Sequence, residues 1–219
     1  GYEARLSLEN DCFSKKYYTH KKRKMLIHFP LYNEVKSLHI GLKKDCFFEK
    51  YNPYINTAPV VYYGSSITQG ASASHPGNCY PAIVAQKTNV DFINLGFSGS
   101  ARGEIELAEY ISGLPMSVFV FDYDHNDVFF PELLKERHYR FYEIVRKKNK
   151  DIPIIFMSAP FTPRAEATLE RTRKIVIESY EKAKAKGDNV YFIDGKTIYG
   201  EEHYDCGTVD GAHPTDYGF

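Results

Sequence analysis

The chain has 219 residues, 43% hydrophobic and 26% charged, enough for one sizeable core with room for a small accessory domain. Its 28 basic and 28 acidic residues cancel, which argues against broad attraction to nucleic acid or an anionic membrane. No apolar run reaches the roughly 20 residues that span a bilayer. The cysteines at 12, 46, 79 and 206 form no Cys-x-x-Cys pair, so neither a zinc nor a thioredoxin-like site is expected.

Their spacing alone does not argue for a disulfide, and the compartment stays open. No signal peptide is visible, and Gly1 opens sequence that already reads as folded, which leaves room for a natural leader upstream. Tyrosine is frequent while tryptophan is absent; such rings fill cores and sheet faces first and stack on sugars second.

Residues 1–55 read as a β-rich accessory segment. Runs at 24–31 and 35–42 alternate or favour strands and are separated by Tyr32-Asn33-Glu34, a polar break suited to a turn. The basic cluster at 18–24 reads as a solvated hairpin tip, because the rest of the chain is not basic. A few strands do not make a sturdy domain, so this segment is expected to pack on the main domain or to be part of a truncated β-sandwich.

Residues 56–219 alternate strand and helix. Apolar runs at 60–64, 90–96, 117–123, 152–159 and 190–194 suit parallel strands buried on both faces. Between them, Leu134, His138, Phe141 and Val145 mark a helix over 131–149. Leu169, Val176, Tyr180 and Ala183 mark another over 163–186, with Gly187 as its stop. The pattern predicts an α/β fold, a three-layer α/β/α sandwich around a five-stranded parallel sheet. Sites in such sheets lie beyond the carboxyl ends of the strands.

The segments after those strands carry the chemistry. Gly64-Ser65-Ser66-Ile67-Thr68-Gln69-Gly70 presents a serine in a Gly-flanked turn; it also reads as plain turn chemistry, and it lacks the lysine of a phosphate-binding loop. The next segment, Asn94 to Arg102, holds Gly96 and Gly99, whose backbone N–H groups can stabilise an oxyanion or simply serve a sharp turn. Asp122-Tyr123-Asp124-His125-Asn126-Asp127 is a polar cluster directly after an apolar strand. Asn126 suits an oxyanion donor or a helix cap, and a single histidine among acids is a poor metal site. Finally, Asp210-Gly211-Ala212-His213 spaces a carboxylate to hold one imidazole nitrogen while the other serves as a general base.

Taken in order, these blocks resemble the SGNH hydrolases, the GDSL esterase and lipase family. Gly64 to Gly70 resembles the family's Gly-Asp-Ser-Ile-Thr-x-Gly, which makes Ser66 the nucleophile. The segment Asn94 to Gly99 resembles the second block, with Gly99 as an oxyanion donor and Gly96 as the alternative. His125-Asn126-Asp127 falls where Gly-x-Asn-Asp belongs, which gives Asn126 as a further donor beside the Ser66 N–H. Asp210 to His213 is similar to Asp-x-x-His and completes a Ser66–His213–Asp210 triad. The resemblance covers about 160 residues and implies a flavodoxin-like fold.

Phe29 to Gly41 is similar to a small β-domain that precedes the hydrolase domain in a bacterial subgroup, many of whose members look carbohydrate-associated. Ser65 replaces the family's Asp and Asp124 replaces a Gly. The chain stops at Phe219, where related proteins continue into a closing helix, so a trimmed or partly ordered chain is expected.

The resemblance implies a serine esterase for short acyl groups, acetyl foremost, on small-molecule or carbohydrate esters, needing no metal or other cofactor. Arg102, Asp124 and His125 are the candidate pocket residues. Two alternatives stay open: an acyl transferase with a sugar hydroxyl as acceptor, and a non-catalytic carbohydrate-binding protein of the same fold.

Overall fold

The computed structural model describes residues 2–8, 11–17, 21–51, 54–162, 165–199 and 205–219. The chain divides into two compact units, Gly1–Pro53 and Tyr54–Phe219.

In the first unit, β1 (Tyr2–Leu8) pairs antiparallel with β2 (Asp11–Tyr17) and with β3 (His39–Gly41), giving the order β2-β1-β3. This corrects the expectation for 24–31, which is irregular and holds no strand, while 35–42 contributes only β3. Alternation marks a residue's preferred face but supplies no partner, and Pro30 removes a ladder donor from the run. Of the basic cluster, 18–20 lie outside the described residues. Lys22 and Lys24 are exposed and rest over the rings of Phe47 and Tyr51, at 4.3 and 4.2 Å from the centroids.

The second unit carries, among the described residues, a five-stranded parallel sheet of order β5-β4-β6-β7-β8. Its strands are β4 (Asn56–Gly64), β5 (Val90–Gly96), β6 (Val118–Asp122), β7 (Ile154–Met157) and β8 (Val190–Ile193). Register is continuous across the middle, with Val61 opposite Phe119 and Phe119 opposite Ile154. Each strand matches an apolar run of the sequence, and the sheet has the flavodoxin-like order in which the connection reverses beside the first strand.

The helices α4 (Pro131–Lys148) and α5 (Glu166–Ala185) bury the stripes that the periodicity marked: Leu134, His138, Phe141 and Val145 on one, Leu169, Val176 and Ala183 on the other. Gly187 follows α5 with φ +81°, a conformation that suits glycine at a helix end. The single turn α1 (Ser66–Gln69) and the short helices α2 (Tyr80–Thr88) and α3 (Ile105–Ser112) had no such stripe to announce them.

Against α4 the core is aromatic. Tyr63 stacks on Phe141 at 4.7 Å between centroids, and Phe121 lies 4.4 Å from the buried His138 ring. The Tyr63 hydroxyl donates to Glu104 Oε2 at 2.8 Å and accepts from the Gly103 N–H at 3.0 Å, so its polar tip is satisfied inside the core. Arg146 ties the end of α4 to the starts of β7 and β8 by donating to the carbonyls of Ile152 and Asn189.

Candidate active site

β4 lies between β5 and β6, and the chain leaves it first toward one neighbour and later returns to the other. That reversal opens a crevice beyond the carboxyl ends of the strands. Ser66 stands at this point, two residues after the end of β4.

Ser65, between the end of β4 and Ser66, sets the turn. It caps α1: its Oγ accepts from the Ile67 N–H at 3.2 Å, and its own N–H donates to the Asp122 carbonyl at 3.0 Å. Ser66 is then the first helical residue, where a backbone N–H has no partner within the helix. Beneath it, the Thr68 hydroxyl donates to Asp122 Oδ2 at 2.8 Å and Tyr80 donates to the same oxygen at 3.0 Å. Burial, reinforced by Asp124, pushes the Asp122 carboxyl well above the usual range, and these two hydroxyls offset part of the rise.

The last loop brings the other partners. Ser66 Oγ lies 2.9 Å from His213 Nε2, and His213 Nδ1 lies 2.7 Å from Asp210 Oδ2. The second carboxylate oxygen of Asp210 accepts from the N–H groups of Ala212 and His213 at 2.9 and 2.8 Å. Partial burial would raise the Asp210 carboxyl, but the His213 ring and these two N–H groups outweigh it and bring it down to about 2. Gly211 takes φ +84° at the sharp point of the loop, and its carbonyl accepts from Thr162 at 2.8 Å.

Gly99, at φ +65°, directs its N–H to Asn126 Oδ1 at 3.2 Å. The Asn126 amide donates to the carbonyls of Phe97 and Ala101 at 3.1 and 3.0 Å, so it props the loop that presents Gly99. Gly96 has a different task. Its N–H is taken by Asn94 Oδ1 at 2.9 Å, and a Cβ there would collide with the backbone of Gln69.

The three pocket candidates part company. His125 approaches the Ser66–His213–Asp210 cluster: its ring lies 6.3 Å from that of His213, edge to face. Burial, with a smaller contribution from His213, lowers its pKa to about 4 and keeps the ring neutral. Arg102 is held away by Asp127 Oδ1 at 3.2 Å and by the Phe130 ring, 4.6 Å from its guanidinium carbon. Asp124 is 1% exposed and accepts from the Ala159 N–H at 3.2 Å; burial pushes its carboxyl up to about 7.

Thr68, Tyr80 and Thr162 were not marked by the sequence, since each acts through a partner distant along the chain. Among the described residues, no His, Cys, Asp or Glu side chains gather in threes to hold a metal ion, and no helix is long and apolar enough to cross a membrane.

Similarity to known proteins agrees with this architecture. A GDSL-like lipase from Bacteroides ovatus ATCC 8483, so described from its crystal structure, matches with a TM-score of 0.78 at 31% identity, over 99% of this chain and 69% of that one. A salicylyl-acyltransferase from a tetracycline biosynthetic pathway matches at 0.64 and 21% identity, over 82% of this chain and 53% of that one. A family two carbohydrate esterase from Clostridium thermocellum, in complex with cellohexaose, matches at 0.60 and 18% identity, over 81% and 62%. The last two share the fold. A comparison with curated proteins finds no match. The model of the GDSL-like lipase/acylhydrolase family matches residues 57–219, three-quarters of the sequence, and with it the chain belongs to that family of hydrolases.

Proposed function

We propose that the protein is a serine esterase that removes short acyl groups, acetyl first, from carbohydrate esters. The observation that carries this reading is the unbroken line from Asp210 through His213 to Ser66, at 2.7 and 2.9 Å. Ser66 Oγ bonds to the ester carbonyl carbon while its proton passes to His213 Nε2. Asp210, ionised at any ordinary pH, orients the ring and stabilises its charged form. The tetrahedral intermediate then collapses: the carbon–oxygen bond to the alcohol breaks, and His213 returns the proton to the leaving oxygen. Water, deprotonated by His213, releases the acid from Ser66 and restores the enzyme.

The oxyanion is held by the N–H groups of Ser66 and Gly99 and by the Asn126 amide. A charged acceptor draws the Gly99 N–H and the Asn126 amide more strongly than the neutral oxygens they now face. His125 borders the substrate beside His213. The carbohydrate part of the reading is supported by the subgroup resemblance of the N-terminal segment. A second reading, acyl transfer to a sugar hydroxyl, is favoured by the fold shared with the salicylyl-acyltransferase; it differs only in what attacks the acyl-enzyme.

Hydrolysis of p-nitrophenyl acetate and butyrate by wild type and by folded Ser66→Ala tests the reading. Acetate turnover that vanishes with Ser66 is expected; turnover that persists in Ser66→Ala would sink it. Product analysis with water and a sugar competing separates hydrolysis from transfer.

A further inference from the structure

A second Ser, His and Asp meet beside the site. The Ser74 hydroxyl donates to Asp216 Oδ2, and the Ser74 N–H donates to Asp216 Oδ1 at 2.8 Å. Asn78 Nδ2 donates to Ser74 Oγ at 3.2 Å and to Asp216 Oδ2 at 3.1 Å, and His75 Nδ1 lies 2.6 Å from Ser74 Oγ. The cluster shares the composition of a triad without its order, because the serine, not the histidine, stands in the middle. A carboxylate only accepts, so the single hydroxyl proton of Ser74 is committed to Asp216, and His75 Nδ1 faces Ser74 Oγ as a donor and not as the base of a triad.

What the cluster joins is more informative. Ser74 lies in the loop that leaves α1, eight residues after Ser66, and Asp216 lies three residues after His213. On the other side of His213, Gly211 is held by Thr162. His213 therefore sits between two anchors, one of them fastened to the segment that carries Ser66.

We propose that Asp216 and Ser74 are positioning residues for the reaction, a clasp that sets the approach of His213 to Ser66. The inference rests on the esterase reading above. Side chains that touch no substrate can still govern rate, since a misplacement of about 1 Å can cost up to roughly a hundredfold.

The test measures p-nitrophenyl acetate kinetics for Asp216→Ala, Ser74→Ala, their double variant and Ser74→Thr. We expect each alanine variant to lose about tenfold or more in kcat with KM moved by less than about twofold. The double variant should be no slower than the slower single one, and Ser74→Thr, which keeps the hydroxyl, should recover most of the rate. Single variants with wild-type kcat, losses that multiply, or a threonine variant as slow as alanine would each overturn the clasp. If Asp216→Ala fails to fold, Asp216→Asn, which exchanges one acceptor oxygen for an amide nitrogen, is read by the same criteria.

Should turnover prove independent of Ser66, the esterase reading fails and the clasp is judged apart from it. The low-field proton resonance of His213 Nδ1–H against Asp210 is then followed. Its loss in Asp216→Ala supports the clasp, and its persistence unchanged overturns it.

Discussion

The acids at and just after the end of β6 and the acid of the last loop are the same residue type in opposite circumstances. Asp122, Asp124 and Asp127 are at most 1% exposed, and burial raises all three, Asp124 to about 7 and Asp127 to about 6. Asp210 has half its side chain in solvent and is pulled down to about 2 by the groups that donate to it. The buried acids accept bonds from Thr68, Tyr80, Ala159 and Arg102 and so hold loops in place. The exposed one keeps its charge and faces an imidazole. Fixing a loop tolerates a carboxyl that is easily neutralised, whereas orienting and stabilising a histidine cation requires one that is not.

The sharpest way to break this contrast is Asp210→Asn. Exchange of a triad carboxylate for an amide costs about ten-thousandfold in kcat with the geometry intact, and steady-state kinetics should find a loss of that order with KM little changed. A loss below about tenfold would remove Asp210 from the mechanism.

Asn126→Ala comes next. Loss of one oxyanion donor costs roughly a hundred- to a thousandfold in kcat, and here it also releases the carbonyls of Phe97 and Ala101. Near-full turnover would mean that the amide only props the loop.

The smallest effect concerns stability. Burial pushes the Asp124 carboxyl up to about 7 in the folded chain, against about 3.9 for an unfolded aspartate. Its protonated form is thus favoured by folding: that stabilisation is full below pH ~4 and is lost as pH rises through about 7. Each pH unit between the two values is worth about 1.4 kcal/mol at most. Asp124→Asn cannot ionise, so its Tm should decline less than that of wild type between pH 6 and 8. The buried His138, lowered to about 3, imposes the opposite slope up to its unfolded value near 6.5, but it does so equally in both proteins and cancels in their comparison. Parallel Tm profiles would show that Asp124 is ionised in the fold and would erase the contrast with Asp210.

Legibility followed distance along the chain. Asp210 and His213 are three apart, so their spacing alone suggested the contact, and the stripes of α4 and α5 needed only a helical period. α2 and α3 are too short to display such a period. In the first unit, 24–31 has a β-prone pattern yet runs irregularly, because such a pattern carries no information about its neighbour.

By itself the sequence determined the alternation of apolar strands and amphipathic helices, the order of the motif blocks, and the local turns at Ser66 and Gly211. These depend on residues within a few positions of each other, where backbone geometry is the main constraint. Only the tertiary structure decided that Ser66 and His213, 147 residues apart, lie within 2.9 Å. It also turned Arg102 toward Asp127 and Asp124 toward Ala159, spent the Asn126 amide on the loop of Gly99, and fastened Ser74 to Asp216. Strand order and register choose those partners, and a polar side chain, once buried or drawn into a crevice, must bond to whatever donor or acceptor the packing has placed beside it.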